Sequence, residues 1–225
     1  WTNSTQKTPQ QLIDELEPYC IEFLFTNVDN EGTMRGFSFP NLKTRNKLTL
    51  AGGFSTIKEI KKYKDFNIQL GMSIYSGKIN LTEAFVSLLD FEKNNGLVPT
   101  IVQDTNDQVL MLAFSSIESI LRSFKTEKAT YYSRSRKNLW RKGETSGNLQ
   151  QLIKVRYDCD FDTLLFTVKQ KNVACHKGSY SCFGDKDFNL DELYNLILDR
   201  LNNPKQESYT SKILADESLI KAKLK

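Results

Sequence analysis

The pattern of apolar residues changes near Gly96, and this change sets the expected fold class. Before it, three apolar segments end at Thr26, Leu50 and Met72, which lie 24 and 22 residues apart. That spacing is typical of strand–helix units in a parallel sheet. After it, short apolar segments alternate with turns, as in β-hairpins. We therefore expect a partial βα segment of about three units, too few to close an eight-stranded barrel, followed by an α+β segment.

Capping residues and periodicity predict the individual elements. Thr8 and Pro9 predict the start of a helix, and residues 21–26 predict the first strand. Extended structure is predicted over 47–50 and 67–74, with helices from about Ser55 and over about 81–91. Beyond Gly96 we expect hairpins over 98–113 and 152–170, a helix through Ile117 and Leu121, extended structure over 129–133, and helices after Leu190 and Ser211.

The expected domains are residues 1–93, 94–186 and 187–225, the last a helical segment that we expect to be cut short. The chain begins with Trp1 rather than Met, which favours a piece of a longer gene product. The longest uninterrupted apolar stretch, residues 109–114, is far shorter than the roughly 20 residues of a membrane helix. No signal-peptide pattern opens the chain, so we expect a cytoplasmic protein without a membrane partner.

The charge of the chain is unevenly distributed. Thirty-one basic and 27 acidic residues give a net charge of +4, too small a surplus to indicate nucleic-acid binding by itself. From Arg122 to Arg156, however, the sequence has ten basic residues and only two acidic ones, Glu127 and Glu144. A local positive field of this kind suits a phosphorylated small molecule as well as a nucleic acid.

Three aspartates, Asp158, Asp160 and Asp162, alternate with Cys159 and Phe161. On an extended backbone the carboxylates would share one face, about 6.6 Å apart per step, with Cys159 on the other face. Carboxylates this close repel one another unless a cation lies among them, and oxygen ligands suit Mg²⁺ or Ca²⁺. The alternative interpretation is a solvated hairpin tip that holds no ion.

Cys159, Cys175 and Cys182 lie within 24 residues of one another, beside the only histidine, His176. Their spacing is not that of a structural CxxC zinc site, and three thiolates leave a fourth zinc position open for water. Buried inert cysteines and a structural histidine are the alternatives, whereas beside zinc the imidazole would move protons. If Cys159 faces away from the aspartates, its sulfur can meet those of Cys175 and Cys182 only in two ways. Either the chain folds back around that edge, or Cys175 and Cys182 come from a second subunit.

Two segments carry arginine forks, hydroxyls and flexible backbone amides, the groups that bind phosphate. They are Ser133, Arg134, Ser135 and Arg136, and then Lys142, Gly143, Glu144, Thr145, Ser146, Gly147 and Asn148. Trp140, between them, is a core residue by default, although an aromatic ring here can also stack on a base.

The order of these motifs over about residues 94–184 closely resembles phosphoribosyl-AMP cyclohydrolase of histidine biosynthesis. The matching stretches are 132–136, 139–140, 142–148, 158–162, 175–178 and 181–183. The resemblance implies hydrolysis of the purine ring of phosphoribosyl-AMP between N1 and C6, with both phosphate-binding segments and Trp140 around the substrate. It also implies Zn²⁺ bound by Cys159, Cys175 and Cys182 at a homodimer interface, Mg²⁺ bound by Asp158, Asp160 and Asp162, and a catalytic His176. Phe161 departs from the small or polar residue of many members.

Both flanking segments resemble enzymes of the same pathway. Residues 1–93 are similar to the C-terminal part of the ProFAR isomerase barrel at 1–2, 25–28, 31–33, 51–53 and 70–71, which gives Thr26, Gly52, Gly53 and Gly71 substrate and phosphate contacts. Glu31 replaces that family's aspartate, and the strands with its essential aspartates are not here, so we expect no isomerase activity. Residues 193–200 and 207–210 resemble the start of phosphoribosyl-ATP pyrophosphohydrolase, whose metal-binding helices would follow Lys225. That activity is also expected to be absent.

Without the resemblance, two classes of function stay open. One is a hydrolase, and the other is a non-catalytic, zinc-stapled module that binds phosphorylated ligands, RNA or pathway enzymes. Nucleic-acid binding should weaken steeply with salt and need no zinc, whereas turnover should vanish with chelation. With the resemblance, we expect the hydrolase and no nucleic-acid partner.

Overall fold

A computed structural model describes residues 5–223 as a mixed α/β structure. The predicted motif at Trp1 and Thr2 lies outside the described residues. No helix within the described range is long and apolar enough to cross a lipid bilayer.

The first part of the chain builds a three-stranded parallel sheet in the order β1-β2-β3. Its elements are α1 (Pro9–Leu16), β1 (Glu22–Thr26), β2 (Lys47–Ala51), α2 (Ile57–Lys62), β3 (Asn67–Ile68), α3 (Met72–Tyr75) and α4 (Leu81–Leu88). Short 3₁₀ turns cover Glu17–Tyr19 and Val28–Asn30. The register pairs Thr26 with Ala51 and Leu50 with Ile68, so the three strands predicted from the 24- and 22-residue spacing are confirmed as neighbours.

Two boundaries in this part differ from the prediction. The third strand was predicted over 67–74, but only Asn67–Ile68 pairs, because Gly71 accepts the N–H groups of Ile74 and Tyr75 and begins α3. The helix predicted to reach residue 91 ends at Leu88. Leu89 is extended, and the next N–H, that of Asp90, donates to the Phe161 carbonyl at 2.8 Å.

Close backbone contact explains two glycines at the end of β2. Gly52 and Gly53 both have φ of +92°, a region that side chains rarely adopt. A Cβ on Gly52 would lie 2.4 Å from the Asn27 carbonyl oxygen, and one on Gly53 would lie 2.5 Å from that of Gly36. The loops after β1 can therefore pack on β2 only if these positions stay glycine.

The second part builds a four-stranded sheet in the order β5-β4-β9-β8 and a separate hairpin. Its elements are β4 (Val98–Gln103), β5 (Val109–Ser115), α5 (Ile117–Thr126), β6 (Thr130–Ser133), β7 (Asn138–Arg141), β8 (Gln150–Tyr157) and β9 (Leu164–Gln170). The β4–β5 and β8–β9 pairs are antiparallel, so both predicted hairpins are confirmed, and β4 pairs with β9 in parallel.

Alternation along the strands gives this sheet one buried and one open face. Leu164, Phe166 and Val168 are fully buried on the inner face, where they pack with Ile120 of α5 and with Tyr131. On the outer face Ile101 pairs with Leu112 and Leu165, and Leu112 is 55 % exposed. An apolar row is therefore left open across three strands.

The chain continues into α6 (Leu190–Asn202), α7 (Tyr209–Leu214) and α8 (Glu217–Lys223). Asn189 caps α6 by accepting the Glu192 N–H at 2.8 Å. The helix predicted after Ser211 begins earlier, at Tyr209, because Ser208 is its N-cap.

Glu59 fastens α2 to the loop before β2. Its Oε1 accepts the Phe37 N–H at 2.9 Å, and its Oε2 accepts the N–H groups of Ser55 and Thr56 at 3.0 and 2.9 Å. Partial burial alone would raise the pKa of Glu59, but these donors stabilise the charged form and hold the pKa below its ordinary value.

The substitution Glu59→Gln should lower the free energy of unfolding by about 2 kcal/mol at neutral pH, because it replaces charge-assisted hydrogen bonds. A carboxylate whose folded pKa is depressed stabilises the fold above its unfolded pKa, and this contribution is lost as the pH falls through the folded value. Urea unfolding should therefore show the gap to wild type closing as the pH falls below about 4. Lys58→Gln, at an exposed position of the same helix, is the control. A gap that does not change with pH would contradict this role.

Candidate functional site

Residues 174–184 form a loop, here called the thiol loop, that is hydrogen-bonded to the start of β5 and to the turn before it. The Cys182 N–H donates to the Leu110 carbonyl at 2.8 Å, and the buried Ser181 hydroxyl donates to the Val109 carbonyl at 2.7 Å. The Tyr180 hydroxyl donates to Oδ2 of the buried Asp104 at 2.8 Å. Sequence reasoning missed Asp104 and Tyr180, which lie 76 residues apart.

The thiol loop brings Cys175 and Cys182 together. The Lys177 N–H, 3.4 Å from the Cys175 sulfur, is the main cause that lowers the pKa of Cys175, and a hydrogen bond from Cys182 acts in the same direction. Burial, followed by the charge of Cys175, raises the pKa of Cys182. The contacts of Cys175 thus favour its thiolate form, the form that binds metals. His176 follows Cys175 directly, and its side chain is exposed.

Lys142 lies beside the two thiols. Burial lowers the pKa of Lys142, and the charges of Cys182 and then Cys175 act in the opposite direction. The start of the predicted 142–148 segment and two of the three predicted zinc ligands therefore meet at one place.

Cys159 does not join the pair within one chain. In the part of the chain that the structure describes, only Asp158, Asp160 and Asp162 form a group of three or more metal-ligand side chains. Cys159 lies in the β8–β9 turn, before the first residue of β9, Leu164. The thiol loop comes after the last residue of β9, Gln170. The fold-back of one chain that the sequence left open is therefore not observed among the described residues.

Residues 158–162 form the turn of the predicted hairpin between β8 and β9, so the shared face that an extended backbone would give these carboxylates is not observed. Phe161 has φ of +65°, and Oδ1 of Asp158 accepts the N–H groups of Asp162 and Thr163, both at 3.1 Å. The turn still gathers the carboxylates, with one oxygen of each within 4.8 Å of the others.

A lysine that the sequence reasoning missed joins two of these carboxylates. The Lys93 ammonium lies 2.7 Å from Asp160 and 2.8 Å from Asp162. Hydrogen bonds to Asp160 and then Asp162 raise the pKa of Lys93, and the Lys93 hydrogen bond is the first cause that lowers the pKa of Asp162. Lys93 lies 67 residues before Asp160, so no local pattern could have indicated the pair.

The predicted serine–arginine segment forms the turn between β6 and β7. The Arg134 guanidinium carbon lies 3.8 Å from the centre of the Phe114 ring, and Ser133 Oγ accepts the Arg136 N–H at 3.3 Å. Ser135 shares this turn, with its hydroxyl 3.4 Å from that of Ser133. Trp140 is half-buried against Tyr131, with ring centres 5.3 Å apart, which favours its core interpretation.

Residues 143–148 form a tight loop that contacts the segment between β9 and the thiol loop. The Gly147 N–H donates to the Gly143 carbonyl at 2.9 Å, and Glu144 pairs with Arg141 at 3.2 Å. Asn148 Oδ1 accepts from the Asn172 side chain at 3.2 Å. Thr145 and Ser146 at the tip are exposed, where they can meet a ligand.

The residues predicted from the isomerase resemblance lie elsewhere, at the carboxyl ends of the first sheet. Gly52, Gly53 and Gly71 line a cavity of about 270 Å³, and Thr26 ends β1 beside Ala51. Glu31 also lines this cavity, so an acidic side chain stands where an anionic ligand was predicted. A ligand-binding role for these residues stays a prediction.

Comparison with known proteins places residues 111–184 in a match to the family phosphoribosyl-AMP cyclohydrolase. The phosphoribosyl-AMP cyclohydrolase of Archaeoglobus fulgidus is 55 % identical over 96 residues, which cover 42 % of this chain and 88 % of that protein. The histidine biosynthesis bifunctional protein HisIE of Pyrococcus furiosus is 41 % identical over 147 residues, covering 60 % of this chain and 70 % of that protein. The histidine biosynthesis trifunctional protein of Saccharomyces cerevisiae is 40 % identical over 146 residues, covering 64 % of this chain but only 18 % of that protein.

Two glycines of the 143–148 loop allow a matched test of its role. Both have positive φ, +79° at Gly143 and +75° at Gly147. A Cβ on Gly143 would lie 2.3 Å from the Asn148 carbonyl, whereas nothing lies within 4 Å of one on Gly147. Both alanine variants therefore carry the backbone strain of about 1–2 kcal/mol, and only Gly143→Ala must also open the loop.

Gly143→Ala should weaken the binding of AMP, measured by calorimetry, by at least about tenfold, equivalent to about 1.4 kcal/mol. Gly147→Ala should bind AMP nearly as wild type does, because its added methyl group meets no neighbour. Equal AMP affinity in wild type and both variants would remove the loop from the site.

Proposed function

This chain belongs to the phosphoribosyl-AMP cyclohydrolase family, and on that premise we propose that it hydrolyses the purine ring of phosphoribosyl-AMP between N1 and C6 in histidine biosynthesis. The observation that carries the proposal is the match to a single-function relative along most of that protein's length. Local geometry supports it, because the charges of the paired thiols act on Lys142, and His176 directly follows Cys175 in the chain.

We propose that Cys175 and Cys182 of one copy and Cys159 of a second copy bind zinc. The donor set fits this ion, since two sulfurs are already paired and one is stabilised as a thiolate. An exposed Cys159 at the far end of the hairpin is free to enter another copy's site. An isologous dimer would then build two identical sites at once.

The open apolar row of Ile101, Leu112 and Leu165 is the surface that we assign to this dimer. A two-fold axis that lies in the interface and perpendicular to the strands exchanges the two ends of the sheet. It would bring the Cys159 end of one copy towards the thiol loop of the other, while the apolar rows face each other. Burial of both rows would add hydrophobic stabilisation of roughly 25 cal/mol per Å² of apolar area.

In this proposal the residues of the chain have separate tasks. Zinc held by three thiolates supplies a water that ionises near neutral pH. The water oxygen would become the carbonyl oxygen on C6 as the N1–C6 bond breaks. One water proton would pass through His176 to N1, and the other would go to the exocyclic nitrogen on C6. Lys142, the 143–148 loop and the arginines of the β6–β7 turn hold the phosphates.

Asp158, Asp160 and Asp162 are the proposed magnesium ligands. Their oxygen donors and mutual distances suit a hard cation. Because the Lys93 ammonium already neutralises two of them, a cation must compete with Lys93 for Asp160 and Asp162.

For the flanking parts we propose a common origin with pathway enzymes. The three parallel strands and the glycine turns at their carboxyl ends support a relationship between the first segment and part of the ProFAR isomerase barrel. The helices after Leu190 are the counterpart proposed for the start of a pyrophosphohydrolase domain.

Turnover of phosphoribosyl-AMP tests the function directly, with two cysteine variants as a matched pair. Cys182→Ser should abolish zinc binding and lower kcat/KM at least about a thousandfold, because the nucleophile is lost. Cys20→Ser changes a cysteine next to Asn46 of the first part and should behave as wild type. Chelation should remove turnover, and added zinc should restore it. Full activity of Cys182→Ser, or of the chelated protein, would contradict the proposal.

A further inference from the structure

A chain of hydrogen bonds, here called the amide relay, leads from the buried core of the second part of the chain to the segment before the thiol loop. The Tyr131 hydroxyl donates to Gln150 Oε1 at 2.7 Å, and Gln150 Nε2 donates to Gln170 Oε1 at 2.8 Å. Gln170 Nε2 in turn donates to the carbonyls of Lys171 at 2.7 Å and Val173 at 3.2 Å. Tyr131 is completely buried and Gln150 is 1 % exposed. Polar groups this deeply buried destabilise a core unless each one finds its partner.

The relay connects the two loops of the proposed site. Gln150 follows the 143–148 loop, and Val173 lies two residues before Cys175. The same segments also meet through the Lys171 N–H, which donates to the Leu149 carbonyl at 2.9 Å, and through Asn172 and Asn148. Gln150 links these contacts to the core, because its partner Tyr131 also packs on Phe166 and Trp140.

We propose that Gln150 is a positioning residue that fixes the thiol loop relative to the 143–148 loop, an inference that rests on the function proposed above. Its amide accepts from Tyr131 with one atom and donates towards Gln170 with the other, which neither a carboxylate nor an apolar side chain can do. Without it, Gln170 loses the partner that orients its amide towards the carbonyls before Cys175. The spacing between the thiol pair and Lys142 would then relax.

The same core contains a matched control. Thr100 and Ser115 are both completely buried, and their hydroxyl oxygens lie 2.7 Å apart. They join β4 to β5, and their hydrogen bond involves neither the thiol loop nor the 143–148 loop. Thr100→Val therefore removes a buried side-chain hydrogen bond, as Gln150→Leu does, but leaves the contacts between the thiol loop and the 143–148 loop unchanged.

The experiment titrates Co²⁺ into the metal-free full chain and follows the cobalt–thiolate absorption, with thermal unfolding of the metal-free protein measured in parallel. Gln150→Leu and Thr100→Val should both lower the unfolding temperature. Only Gln150→Leu should weaken Co²⁺ binding, by about tenfold or more, as expected when a group behind the metal ligands is lost. Gln170→Met, which breaks the relay from its less buried side, should weaken Co²⁺ binding similarly and serves if Gln150→Leu does not fold.

Wild-type Co²⁺ affinity in the relay variants, or an equal loss of affinity in Thr100→Val, would overturn the positioning role. The readout also separates this inference from the proposed reaction. Wild-type protein that binds Co²⁺ but does not turn over phosphoribosyl-AMP would overturn the reaction, while weaker Co²⁺ binding in the relay variants would still support the positioning role.

Discussion

The length of β9 separates Cys159 from Cys175 and Cys182, the three cysteines of the proposed zinc site. β9 advances by roughly 3.3 Å per residue, so its seven residues place Leu164 and Gln170 about 20 Å apart. Cys159 lies beyond the first of these ends, and Cys175 and Cys182 lie beyond the second. Phe166 and Val168 are fully buried in the centre of the sheet, so the strand cannot bend to bring the ends together without disrupting the core. The three-cysteine site that we propose therefore takes Cys159 from a second copy of the chain.

Each end of the sheet is fixed by contacts from outside the hairpin. At the thiol-loop end, Asp104 holds Tyr180 and Leu110 holds Cys182. At the other end, the first part of the chain covers the aspartate turn through Lys93 and through Asp90, whose N–H donates to the Phe161 carbonyl. The proposed metal sites are thus built on rigid supports, which is what preorganised ligand geometry requires.

Phe161 shows how the two parts of the chain are matched. Its ring is 8 % exposed and lies 4.6 Å from the Tyr157 ring, with the Lys64 ammonium of the first part 5.1 Å from its centre. This buried aromatic ring packs the turn against the βα segment. Phe161 adopts a left-handed backbone conformation, which is unfavourable for a side chain of this size, so the contacts around it must stabilise the turn.

The sequence predicted what depends on neighbouring residues and missed what depends on distant ones. Strand spacing located β1, β2 and the start of β3, and alternation located both hairpins of the second sheet. The hairpin predicted over 152–170 placed residues 158–162 between its strands, but the shape of this turn depends on Phe161 packing against the first part of the chain. The Lys93 contact, the Asp104–Tyr180 bond and the two bonds that Gln150 makes in the amide relay each join residues at least 19 positions apart, so no local pattern could indicate them.

Mixing two inactive variants tests the shared site most directly. Cys159→Ser and Cys175→Ser homodimers should each lack turnover, because every site misses one sulfur. After verified subunit exchange, about half of the dimers in an equal mixture should be heterodimers with one site that has all three cysteines. The account predicts that turnover returns to about a quarter of the wild-type value per chain, since each heterodimer has one of its two sites intact. No recovery of turnover in the exchanged mixture would mean that each chain supplies its own cysteines, which would contradict the account.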